Sequence, residues 1–600
     1  MKKFIALLMA FILIFSLTAC GNRKNKDSLS ICLATEPTII DPALNSSADG
    51  ATILSHLFAG LAKWTENENG EVVITADAAE ELTEGVVNPD GTVTYIYKLR
   101  KGAAWSDGKA LTASDFVYAW NRAASPELSG DYNYMFDVIV GYDEMWETDK
   151  SGNYKNPDAR LAVRALDKST LEVTLTGVVT YWNELLAFPA YYPVRKDALY
   201  DKTVDASAFI SNGAYKLDSL EHNNVMVLTK NDEFYDADIV TMPELRFYFT
   251  DNANTMLDNF KNGQWHFIDN IPSNELGTLK ETYNSELSIT EQLGTYYICW
   301  NVNESILPEG YDADGVDAEK AMSEIRKAIS LLIDRNYIVN AITKGSETPA
   351  STFVPKGLSN PDGTQFYHGA GVSTDYFGYF NVADDDEVFA ENYASAIKTL
   401  KKYYTLNEES GKFTDIPEIS YICNKGDIHL AIAEYIKGAL SVIGIEINII
   451  EQEWDSFVET RKKGDYTLAR NGWLADYNYP VSFLDMWTTA SGNNDIQFGS
   501  GSHKDLAIYS LDLTPYGIDI KFEKGTWAET YDVLLSEIKE SDDPELRFEL
   551  MHLAEDILME TGCIMPLYYY TDVFMINSKV QGFYCNPLGY KYFMQCRLTE

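Results

Sequence analysis
The chain has 600 residues, 46% of them hydrophobic, so it is globular and long enough for two or three domains with cores of their own. Its formal net charge is −42, and two units more negative once Lys2 and Lys3 leave with the leader described below. A surface of that sign repels nucleic-acid phosphates and does not suit adhesion to anionic lipid. The seven cysteines are scattered without CxxC or Cys/His spacing, and no two of the seven histidines stand as a close pair of metal ligands, so neither a metal site nor a cofactor is expected.

In chain order, Lys2 and Lys3 precede an apolar run from Phe4 to Ala19 that is too short for a membrane span and is shaped like a secretory h-region. Leu17-Thr18-Ala19-Cys20-Gly21 follows and resembles the bacterial lipobox, which implies loss of residues 1–19 and a lipid on the Cys20 thiol. The alternative is an ordinary signal peptide with an incidental cysteine. Residues 20–27 then form a polar tether. In an exported protein some of the remaining cysteines could pair, and the spacing does not say which.

Further along, Val93, Tyr95, Tyr97 and Leu99 alternate with polar residues as a strand does, and Thr112 with Asp115 makes a capping-box pattern ahead of Phe116. Tyr311–Lys320 and Pro361–Glu387, rich in Gly, Asp and Tyr, have the composition of surface loops. The run "IRKAISLLIDRNYIVNAI" (Ile325–Ile342) is amphipathic at helical spacing. From Ile419 to Cys423 a β-prone run precedes Asp427, a candidate N-cap, and a helical stripe of Ile428, Ile432, Tyr435, Ile436 and Leu440 runs on to Gly444. Ile445, Ile447 and Ile449 then alternate with polar residues, which completes a β-α-β unit. A last helix is expected over Glu545–Glu560, with Asp543 as cap, Pro544 in the first turn and Gly562 beyond the end. The mixture implies α/β domains.

No GxSxG elbow, HExxH, GxxxxGK[ST] or dinucleotide fingerprint is present. A glycosidase needs only two neighbouring carboxylates, but among 90 acidic residues such a pair carries no information. More pointed is "LARNGWLADYNYP" (Leu468–Pro480), where Asp476 follows Trp473, Leu474 and Ala475 and precedes Tyr477. A carboxylate withdrawn from water needs a partner. Arg470 is one possibility and a cationic ligand is the other.

Several stretches resemble one family: "LRKGAAWSDGKALTASDFVYAWNR" (Leu99–Arg122), "ISNGAYKL" (Ile210–Leu217), "KAISLLIDRNYIVNAI" (Lys327–Ile342), "EQEWDSFVETRKKGDYTLARNGWLADYNYPVSFL" (Glu451–Leu484) and "IMPLYYYTDVFMI" (Ile564–Ile576). In this order they are similar to the peptide-binding receptors of ABC importers, extracellular solute-binding protein family 5. The resemblance implies a periplasmic-binding-protein-like type II α/β fold: two lobes closing on a hinge, plus an inserted domain. Domain I would be discontinuous (28–58, 186–293 and 572–600), domain II would be the insertion 59–185, and domain III would be 294–571. It further implies a monomer without covalent chemistry, anchored on the extracytoplasmic face of the cell membrane, which takes short peptides as added β-strands and passes them to membrane permease subunits. Rivals are a receptor for dipeptides, signalling peptides, nickel complexes or sugars on the same fold, an exported hydrolase, and a surface structural protein.

By the same resemblance Asp476 pairs with the peptide α-ammonium, with Tyr477 beside it in the site. Trp454 and Trp473 line side-chain pockets, and Arg470 and His429 meet the peptide carboxylate. Core packing for the tryptophans, an internal bridge to Asp476 for Arg470 and a surface cap-turn for His429 are the plainer alternatives. The chain departs from the family pattern in three places. Thr343, followed by Lys344, stands where a lysine is expected; Ser46 replaces a cleft glutamate; and Gly294 and Leu474 replace two paired cysteines.

Overall fold
The computed structural model describes residues 28–149, 151–198, 200, 206–311, 315–344, 347–368, 378–541 and 543–599. The leader and the whole tether, Cys20 included, lie outside these residues, as does part of the Pro361–Glu387 stretch.

One eleven-stranded sheet organises the chain. Its one side is built from Ser28–Leu33, Tyr215–Glu221, Val225–Lys230, Glu244–Phe249 and Phe267–Ile268, and its other side from Ile419–Asn424, Ile447–Gln452 and Leu468–Leu474. Two long antiparallel strands, Leu287–Trp300 and Ile564–Ile576, run through both sides. Leu287–Glu291 pair with Met575–Thr571, the register then slips, and pairing resumes from Thr295 opposite Tyr569. Before the slip the neighbour of the pair is Phe267–Ile268, and after it the neighbour is Leu468–Leu474. This irregularity thus falls where the sheet passes from one side to the other, and a second shift follows between Tyr296 and Tyr297.

A separate antiparallel sheet of Val86–Val87, Val93–Lys98, Thr170–Leu175 and Val163–Ala165 carries the helix Ala113–Ala123, whose Phe116, Ala119 and Trp120 are buried. The capping box holds: Asp115 accepts the Thr112 backbone N–H at 2.8 Å. This unit is tied to the first side of the large sheet by buried polar contacts. Arg122 donates to both oxygens of Asp41, and the Trp120 indole N–H donates to the Tyr191 carbonyl at 2.8 Å.

The expected β-α-β unit is present, with Ile419–Asn424 parallel to Ile447–Gln452 across the helix Asp427–Ser441. Asp543 caps Pro544–Glu560 by accepting from the N–H groups of Glu545 and Leu546. Two expectations fail. Within the Tyr311–Lys320 stretch, Gly315–Lys320 belong to a helix over Gly315–Leu331, where Ala321, Met322, Ile325, Ala328 and Ile329 bury a common face. Ile325–Ile342 is not one helix either, since Asp334 leaves helical geometry and its carboxylate caps a new start by accepting from Asn336 and Tyr337. The six cysteines among the described residues are all free thiols.

Candidate functional site
A cavity of about 870 Å³ lies between the two sides of the large sheet. The strand Leu468–Leu474, continuing into Ala475 and Asp476, forms one wall, and the helix Trp454–Lys463 forms another. Residues 45–48, the Asp131–Tyr132 pair and the Leu588–Tyr590 loop close it from the opposite side.

Asp476 is 4% exposed. Its carboxylate accepts from the Tyr134 hydroxyl at 2.6 Å, and its backbone N–H donates to Ser482 Oγ at 2.8 Å. Burial pushes its pKa well above the ordinary carboxylate range; the Tyr134 hydroxyl works against the rise, the charge of Asp485 adds to it, and Tyr132 opposes it. No cationic side chain enters this balance, so the internal bridge to Arg470 is not formed. The site holds a buried carboxyl with hydroxyl partners only.

Arg470 also lines the cavity, and its guanidinium lies over the Tyr296 ring, 5.0 Å from its centre. Its Nε is buried without a hydrogen-bond partner. Burial works against the charge, but Tyr570, Tyr296 and Tyr568 around it outweigh that and raise its pKa. Arg470 lies within the strand and Asp476 two residues beyond its end, and both line the cavity.

His429 does not line this cavity. It stands in the first turn of Asp427–Ser441 behind Tyr296, with Nδ1 3.2 Å from the Tyr296 hydroxyl. Burial first, and Arg470 second, hold its pKa well below the usual value. Of the two residues expected to carry positive charge into the site, only Arg470 lines the cavity. Tyr477 is buried behind the wall, stacked on Tyr181 with ring centres 4.5 Å apart and donating to Asp485 at 3.2 Å. Trp454 is on the wall and 50% exposed, which excludes plain core packing for it. Trp473 is half-buried on the wall, its indole N–H donating 2.7 Å to the carbonyl of Ser482, the residue that also holds the Asp476 backbone.

Of the departures, Ser46 lines the cavity, whereas Thr343 is buried and donates to the Val339 carbonyl. Gly294 and Leu474 are register partners, and a Cβ on residue 294 would meet Leu474 Cδ2 at 2.4 Å and the Trp473 carbonyl oxygen at 2.9 Å. Sequence reasoning missed Tyr132 and Tyr134. The "DYNYMF" string (Asp131–Phe136), which matches the polar-aromatic texture of "ADYNYP", was the available signal.

A cavity enclosed between two halves of one sheet, with a carboxyl and a guanidinium on its wall that form no ion pair among the described residues, fits the type II periplasmic-binding-protein-like fold. The profile described as "Bacterial extracellular solute-binding proteins, family 5 Middle" matches residues 74–495, and the chain belongs to that family. It is 27% identical to the oligopeptide-binding protein OppA of Bacillus subtilis, covering 99% of each chain. It is 27% identical to the dipeptide-binding protein DppE of the same organism, over 92% of this chain and 89% of the relative. The solved structure of OppA from Burkholderia pseudomallei superposes with a TM-score of 0.74 at 25% identity, over 96% of this chain and 100% of the other.

Proposed function
We propose that this chain is a lipid-anchored extracytoplasmic receptor that captures short peptides and delivers them to the membrane permease of an ABC importer. Asp476 carries the reading: a carboxyl kept from water on a cavity wall, with no internal cation, suits the α-ammonium of a peptide, whose arrival supplies the missing charge. Arg470, which also lines the cavity, takes the carboxylate end, Trp454 and Trp473 bound side-chain space, and the peptide main chain pairs with the wall strand. Relatives named for oligopeptides and dipeptides accord with this. The register slip at 291–295 is the proposed hinge, which makes the large-sheet side with the N- and C-terminal strands one lobe and 294–571 the other. Among the described residues no helix is long and apolar enough to cross a membrane, and anchoring is assigned to lipid on Cys20.

Native mass spectrometry of the protein purified from its membrane, before and after addition of a mixed peptide pool, tests the reading. One peptide per chain, intact and of several sequences, is the expected result. Cleaved peptides, or none retained from any pool, would overturn it.

A further inference from the structure
The segment carrying the four-stranded sheet does more than flank the cavity. Its stretch Asp131–Asp137 includes the 3-10 turn Asn133–Phe136, and every third residue of the stretch reaches across to the opposite wall. Asp131 pairs with Lys462 at 2.6 Å, Tyr134 donates to Asp476 at 2.6 Å, and Asp137 pairs with Lys539. Asp131 precedes the 3-10 turn, Tyr134 lies within it and Asp137 follows it, and all three side chains meet the opposite wall. Lys539 in turn stands 3.8 Å from Asp485, which accepts the Tyr477 hydroxyl next in sequence to Asp476. One short turn therefore grips both the amine site and a charge pair behind it.

The two sets of contacts made by this segment differ in kind. Its ion pair to the first side of the sheet, Arg122–Asp41, has side chains 23% and 3% exposed, and across the cleft Tyr181 stacks on the buried Tyr477. The pairs across the cleft are wetter: both partners are 37% exposed in Asp131–Lys462, and 23% and 24% in Lys539–Asp137. Partly hydrated pairs contribute little each and break readily, whereas a buried pair is costly to separate.

We propose that the Asp131–Asp137 stretch is the latch of the cleft, and that Asp137 and Lys539 are positioning residues that set how long a ligand is held without touching it. For the ligand this rests on the receptor reading above; for the latch it rests on the contacts alone. Asp137→Asn and Lys539→Gln keep shape and remove charge. Stopped-flow release of a peptide from the full-length protein is expected to be about three- to tenfold faster in either variant with kon little changed, and the double variant no faster than the singles. Amide hydrogen exchange on the ligand-free protein gives a ligand-independent measure: segments 131–137 and 476–485 should exchange faster in Asp137→Asn than in the wild type. Unchanged release and unchanged exchange in Asp137→Asn overturn the latch, as do fully additive single effects. If the wild type binds no peptide, the receptor reading fails, and exchange by itself then decides the latch, unchanged exchange rejecting it.

Discussion

Asp476 shows how a single residue couples charge to occupancy. In the empty cavity its carboxyl has a pKa well above the ordinary range, chiefly from burial, and an ammonium seated against it favours the ionised form. The bound-state pKa is therefore lower than the free-state pKa. Between the two values binding releases a proton, and affinity rises with pH, falling again as pH drops through the free-state value. Calorimetry in two buffers of different ionisation heat should register that release, and Asp476→Asn should abolish it. The same variant is expected to weaken a free-amine peptide by about 2–5 kcal/mol, the range for a desolvated pair that loses one partner. Nα-acetylated peptide should bind the wild type poorly and lose little more in Asp476→Asn; additive losses would separate the two groups. The wall residues of this site were legible because they lie within one strand and its continuation. Tyr134 was not, because it is 342 residues away in sequence and nothing local specifies such a contact.

Elements were legible where local chemistry fixes them. The capping box at Thr112, the Asp543 cap and the 419–452 unit follow from side chains within a few residues of each other. The break at Asp334 competes with an unbroken apolar period, and periodicity hid it. Least legible were elements joined through single buried groups, of which His56 is the plainest. On the fully buried turn of Ala48–Leu57 its Nδ1 lies 2.7 Å from the Thr52 carbonyl, and its Nε2 accepts the Phe593 N–H at 2.9 Å, so the helix holds the C-terminal segment. This tautomer is neutral, and burial lowers the pKa from 6.5 to about 4. The folded value lies below the unfolded one, so the native state binds fewer protons: the contribution is whole above pH 6.5 and is lost as pH falls towards 4. By pH 5 that loss is about 2 kcal/mol. Urea unfolding of His56→Gln, which can donate and accept at the same two points, should lose about 2 kcal/mol less than the wild type between pH 7 and pH 5. An identical loss in both would place the titration elsewhere.

On the scale of the whole molecule the large sheet sets what can move. The strands Leu287–Trp300 and Ile564–Ile576 carry the sheet across, and their pairing is irregular between Glu291 and Thr295, directly beside the cavity residue Gln292. Regular ladders resist bending, and an interrupted one concentrates it at the interruption. The cavity has walls from both sides and is spanned by Asp131–Lys462 and Tyr134–Asp476, so a peptide enters only if these part. On the receptor reading proposed above, entry requires opening at the slip, and the ammonium, by giving Asp476 its counter-charge, would favour the arrangement in which Tyr134 also reaches it. Closure is a population shift whose size is the ligand's differential affinity for the two arrangements. Small-angle X-ray scattering should accordingly show a smaller radius of gyration with a saturating free-amine peptide than without ligand. The Nα-acetylated peptide, even at a concentration that fills the site, should compact the protein much less, because it brings no charge to Asp476. Equal compaction by both peptides would remove Asp476 from the closing step, and no compaction by either would mean that the slip at 291–295 does not work as a hinge.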